Sequence, residues 1–126
     1  MATITDNITL DLSRENIIPP LQAKQYDTDS RFVHVQITNQ GENFSVVSGN
    51  SVWLNIRRPD DTTQSFQGTR ETDGTATLPL DSWALEVVGI AYGSVSIVRG
   101  DTRLTTLSFQ IDVQEAESEQ NITPEE

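Results

Sequence analysis

The sequence predicts an all-β fold, an immunoglobulin-like antiparallel β-sandwich of about seven to eight strands. Apolar residues recur at every second position in several short segments, as in strands that bury one face and wet the other. Turn-forming residues separate those segments, and only one stretch of barely two turns has a helical pattern. The 126-residue length suits one domain with a buried core. We place the sandwich at residues 1–113 and an acidic tail, or the start of a linker, at residues 114–126.

The first strand carries Ile4, Ile8, Leu10 and Leu12 on one parity and Thr5, Asn7, Thr9 and Asp11 on the other, with a break expected near Asp6-Asn7. Ile17-Ile18-Pro19-Pro20-Leu21 follows, and its paired prolines fix φ and remove two backbone donors, which suits an extended edge segment. Val33, Val35 and Ile37 alternate with Phe32, His34 and Gln36 in the next strand, bounded by Asn39-Gln40-Gly41. Val52-Trp53-Leu54-Asn55-Ile56 repeats the pattern and is stopped by Arg58-Pro59-Asp60-Asp61, with Pro where a type I turn accepts it.

Thr63 to Phe66 can return as a short strand, and Asp73-Gly74 turns into Thr75-Ala76-Thr77-Leu78. The helical stretch is Leu80 to Leu85, with Asp81 or Ser82 as its cap and Trp83 expected to plug one end of the sandwich. The two clearest strands come last. One has Ala91, Val95 and Ile97 on one parity, the other Leu107, Phe109, Ile111 and Val113, and Arg99-Gly100-Asp101-Thr102 fits a tight hairpin. Gln114 to Glu126 holds five Glu, no basic residue and one large apolar side chain, Ile122, too little apolar surface to order itself.

Composition excludes several chemistries. Without cysteine there is no disulfide, thiolate nucleophile or sulfur-ligated zinc, and a single histidine, His34, leaves no His pair for a metal. No Gly-rich phosphate loop or metalloprotease motif occurs, so neither an enzyme nor a cofactor is expected. No stretch has the ~18–20 continuous apolar residues of a spanning helix. Met1 to Asp6 lacks the pattern of a secretory signal, which implies synthesis and folding in a cytoplasm. A net charge of −11 disfavours nucleic acid and anionic membranes as partners and leaves protein or neutral glycan.

Several local patterns have plain readings. His34 lies at an outward parity, as a surface or edge histidine would, with no nucleophile that the sequence places beside it. Asp27-Thr28-Asp29-Ser30 opens like a calcium loop, but Phe32 and Thr38 occupy the places of the required Gly and Glu, so a turn with Asp side chains capping N–H groups is expected. Asp60-Asp61 reads as turn chemistry, as does Arg99-Gly100-Asp101 despite its adhesion-like spelling. Asn7, Asn43 and Asn121 match glycosylation acceptors but lack a secretory context.

Tyr26, Phe32, Trp53 and Trp83 admit either core and rim packing or a sugar- or protein-binding platform. Phe32 and Trp53 fall on the polar parity of their strands. With Arg57 and Arg58, a local positive spot, we take Tyr26, Phe32 and Trp53 as the candidate interaction surface.

Leu10-Asp11-Leu12, Ile18-Pro19, Gln25-Tyr26-Asp27-Thr28-Asp29-Ser30-Arg31-Phe32, Arg57-Arg58-Pro59-Asp60-Asp61-Thr62 and Leu78-Pro79, in this order, resemble the N-terminal domain of the upper baseplate (BppU) family of tailed phages infecting Gram-positive bacteria. Tyr26 stands where the family has Gly, and Asp61 where Pro-Asp-Gly is usual. The resemblance implies a non-catalytic β-sandwich of the virion tail baseplate. In that family it packs, in several symmetric copies, on a hub of distal tail protein, and longer relatives carry receptor-binding proteins. Under this reading Arg31 is structural, tying the turn at Asp27 and Asp29 to the strand. The alternative function is a carbohydrate-binding sandwich that recognises the host surface through Tyr26, Phe32 or Trp53.

Overall fold

A computed structural model describes residues 3–15, 18–28 and 30–117. Among these residues eleven strands form two packed sheets: β1 Ile4–Asp11, β2 Leu21–Lys24, β3 Arg31–Asn39, β4 Glu42–Asn43, β5 Ser51–Arg57, β6 Thr63–Gln67, β7 Thr69–Arg70, β8 Ala76–Pro79, β9 Gly89–Arg99, β10 Thr102–Thr105 and β11 Phe109–Gln114. The first sheet runs β1-β3-β8-β7 with β4 paired to β3; the second runs β2-β11-β9-β5-β6 with β10 paired to β9. This is the all-β sandwich that the alternation implies.

Alternation fixes which side chains meet between the sheets. Val33, Val35 and Ile37 of β3 face Val52, Leu54 and Ile56 of β5, Ala91, Val95 and Ile97 of β9, and Phe109, Ile111 and Val113 of β11 in one buried core. Leu54 is fully buried, so truncating it to Ala would cost about 2–5 kcal/mol.

The pairing departs from a purely antiparallel sandwich. β1 lies parallel to β3, with Ile4 opposite Arg31 and Asp11 opposite Thr38, and β2 lies parallel to β11. After β1 the chain crosses to the second sheet for β2 and then returns for β3, a route that delivers a parallel neighbour where a hairpin cannot. The strand number exceeds seven to eight because β4, β7 and β10 are short pieces beside longer partners. No break occurs at Asp6-Asn7, which pair in register with Val33 and His34.

Pro19 and Pro20 immediately precede β2, an edge strand of the second sheet. The helical stretch is a short 3-10 turn, Ser82–Leu85, capped by Asp81, whose Oδ1 accepts the Trp83 N–H at 2.9 Å. Leu107 is exposed and lies outside β11, because the chain leaves the edge of β9 between Thr106 and Ser108. There Thr106 N–H donates to the Val95 carbonyl while its hydroxyl accepts the Val95 N–H, a clasp between two strand pairings.

Asp11 closes the end of the first sheet. Its carboxylate accepts from the backbone N–H groups of Ser13, Arg14, Gln40 and Gly41 and from the Thr38 hydroxyl. Desolvation pushes its pKa up, but the bonds from Gly41, Ser13, Thr38 and Arg14 outweigh it and hold the group well below the usual carboxylate range.

Candidate functional site

The strand register builds a broad polar surface on the outer face of the second sheet. On β5, side chains alternate so that Trp53, Asn55 and Arg57 point away from the core while Val52, Leu54 and Ile56 point into it. Cross-strand pairing sets Arg57 beside Tyr92 and Thr63, Asn55 beside Ser94 and Ser65, and Trp53 beside Ser96 and Gln67. From β10, Thr105 lies opposite Ser96 and Arg103 opposite Val98.

These small polar side chains hold one another. Asn55 Nδ2 donates to the Ser96 hydroxyl at 2.8 Å and to the Ser94 hydroxyl at 3.3 Å, while its Oδ1 accepts from Ser65 at 2.7 Å. Ser96 Oγ also contacts Thr105 Oγ1 and accepts from Arg103 Nε at 3.2 Å. A floor tied together in this way is ordered before any partner arrives.

A groove of about 800 Å³ lies over this floor, with Arg57, Tyr92 and Arg103 among its walls, and a smaller recess of about 190 Å³ beside Trp53 shares Asn55, Ser65 and Arg103 with it. Tyr92 is 46% exposed. No residue lining either recess carries a carboxylate, in a chain of net charge −11. Among the described residues, neither Arg57 nor Arg103 makes an ion pair. The arrangement offers stacking, hydroxyl and amide hydrogen bonds and two cations. Among the described residues there is no cluster of His, Cys, Asp or Glu that could hold a metal ion.

The sequence candidates do not share one surface. Trp53 and Arg57 belong to this groove or its rim, with the Trp53 indole N–H donating to Ser51 Oγ at 3.1 Å. Phe32 is half-buried on the opposite outer face, on β3 between Thr5 of β1 and Pro79 of β8. His34 is on the same face as Phe32, its Nδ1 3.1 Å from the Thr77 hydroxyl.

Tyr26 is exposed in the turn after β2, where its φ is 69° and its N–H donates to the Leu85 carbonyl. Arg58 is taken up within the chain: it pairs with Asp60 and Glu86, donates to the Trp83 carbonyl and lies over the Trp83 ring, which in turn contacts Phe66. The Thr62 hydroxyl and Arg58 together pull the Asp60 carboxyl down to about 2. Arg31 Nε donates to Asp27 Oδ2 at 2.7 Å, and its Nη1 to the Gln22 carbonyl, so it links the turn to both flanking strands. Asp29 lies outside the described residues, as do Asn121 and most of the tail, although Glu117 is held by Lys24 at 2.8 Å.

Tyr92, Arg103, Asn55 and the serines of the floor escaped sequence reading. The outward parity of Ile90 and Tyr92 was a usable signal for the first of these. Arg103 was not traceable, because β10 is exposed along its whole length and shows no alternation.

The Gln25–Phe32 run leads into β3, and the Arg58–Asp61 turn links β5 to β6. The family model of the BppU N-terminal domain matches residues 4–126. The chain belongs to the BppU N-terminal domain family. It is therefore a structural domain of a phage baseplate protein. Among solved structures the BppU domain is similar to the N-terminal domain of phage TP901-1 ORF48, with a TM-score of 0.73 at 19% identity over 87% of this chain and 98% of that one. At that identity the likeness speaks for the fold. Among curated proteins none matches.

The two residues that the sequence resemblance sets against an expected glycine share one kind of backbone. Tyr26 and Asp61 both have positive φ, 69° and 67°, the region that glycine enters without steric cost.

Proposed function

We propose that this BppU domain is a non-catalytic anchoring element that packs on the central tail hub in several symmetric copies and helps hold the host-attachment apparatus. Its partners are the distal tail hub protein and, through the assembly, the receptor-binding protein. The supporting observation is the family match from residue 4 to residue 126, which includes the edges of both sheets and the acidic segment. Repetition around the tail axis lets modest single interfaces add up to a durable attachment. On this reading the chain is made in the bacterial cytoplasm and acts in the virion, with residues 1–113 as the packed unit and 114–126 as connection. Immunogold electron microscopy of purified particles with an antibody against this chain tests it: label at the distal tail tip is expected, and intact particles bare of label there would refute it.

The placement of Trp53 and Tyr92 above hydroxyl and amide groups favours one second reading, a glycan platform for host recognition. Tryptophan fluorescence of the domain should then respond to host cell-wall polysaccharide, and an unchanged spectrum across such polysaccharides would remove this reading.

A further inference from the structure

Arg57 and Arg103 line one groove, and no carboxylate lines it with them, although the sequence has 19 acidic residues against 8 basic ones. Two like charges around one recess repel each other, and in this chain an acidic neighbour would have been easy to supply. Of the six other basic residues, three are answered internally, Lys24 by Glu117, Arg31 by Asp27 and Arg58 by Asp60 and Glu86; Arg14, Arg70 and Arg99 make no ion pair among the described residues, and it is Arg57 and Arg103 that line this groove together. The groove floor is already ordered by the Asn55, Ser65 and Ser96 bonds, so binding there would immobilise few side chains. Tyr92, nearly half exposed on the wall, supplies apolar area beside the charges, as interface anchors do.

We infer that this groove receives an acidic polypeptide segment of another baseplate protein, with carboxylates directed at Arg57 and Arg103 and an apolar side chain against Tyr92. The inference rests on the proposed placement in the baseplate and adds which face is used and what chemistry meets it. A neutral glycan could accept hydrogen bonds from the hydroxyls and guanidinium groups and stack on Tyr92, but it would bring no counter-charge to either arginine. An acidic segment brings that counter-charge, and the attraction of unlike charges also guides its approach.

Photo-crosslinking in assembled particles tests this. Tyr92→p-benzoyl-phenylalanine places a reactive group on the groove wall, and Thr69→p-benzoyl-phenylalanine places one on the exposed β7 strand of the other sheet as a control. Particles carrying either chain are purified, irradiated and analysed by mass spectrometry. The expected result is an adduct from position 92 to an Asp- or Glu-bearing peptide of another tail protein, with none of comparable yield from position 69.

Particles that contain the chain but give no adduct at 92, equal adducts at both positions, a peptide without acidic residues, or an adduct to carbohydrate would overturn the inference alone. Particles that lack the chain would overturn the baseplate placement together with it. Adding Arg57→Glu, at a side chain that takes no part in the bonds of the floor, should cut the position-92 adduct at least about tenfold while the melting temperature of the domain stays the same. An undiminished adduct would contradict the charge argument.

Discussion

Arg58 and Trp83 are joined twice: the guanidinium carbon lies 4.3 Å from the Trp83 ring centroid, and Nη1 donates to the Trp83 backbone carbonyl at 3.1 Å. The arginine follows β5 and the tryptophan sits in the 3-10 turn, so the pair fastens the turn to the end of the second sheet. Arg58→Ala should cost about 1–3 kcal/mol, and Arg58→Lys should recover less than half, because an ammonium cannot stack flat or serve Asp60, Thr62 and Glu86 together. Urea denaturation of the two variants checks this.

Asp11 should resist replacement. Asp11→Asn exchanges one acceptor oxygen for a donor that faces the N–H groups of its own loop, and the melting temperature should fall by several degrees. Asp11→Ala should fall further. Differential scanning fluorimetry of both variants measures the difference, and unchanged melting would show that the loop after β1 closes without this carboxylate.

Acid should weaken the domain in a defined window. Asp60 has its carboxyl lowered from 3.8 to about 2 in the folded state, and Asp11 is lowered further. A depressed folded pKa means that the stabilisation is fully present above pH 3.8 and is lost as pH falls through the folded value. Asp60→Asn should flatten the stability profile between about pH 4 and pH 2, and an Asp11 substitution should flatten it further toward lower pH. Stability measured by denaturant across that range reports the slopes.

Two backbone predictions have opposite signs. Asp61 has a φ of 67°, so Asp61→Gly should stabilise the β5–β6 turn by up to about 1 kcal/mol. At Gly93 a Cβ would come within 2.7 Å of the Phe109 ring, so Gly93→Ala should destabilise by about 1–3 kcal/mol as the ring is forced aside. Thermal melts of both single variants decide the signs.

What could be read from the sequence follows from what period-two alternation encodes. A strand with one buried face announces itself, and β3 and β5 carry Val33, Val35, Ile37 and Val52, Leu54, Ile56 inward as their parity implies. Phe32 and Trp53, on the other parity, accordingly stand on the outer faces and are half-buried there. Alternation carries no direction for a partner, so the parallel β1–β3 and β2–β11 pairs could not be inferred. Very short strands such as β4 and β7 have too few residues to show a period. The groove was only partly legible for the same reason: Trp53 and Arg57 stand out by residue type, whereas Asn55, Ser94 and Ser96 acquire meaning only when three strands align them.

The central claim is that this BppU domain is an anchoring part of the tail, seated on the hub by a specific face. Cryo-electron microscopy of purified tail tips tests it most directly. The account predicts density for the two-sheet sandwich in several symmetric copies around the hub, with the groove between Arg57 and Arg103 filled by an acidic segment of a neighbouring protein. Tail tips without this sandwich would contradict the placement, and a sandwich seated there with that groove open to solvent would contradict the choice of face.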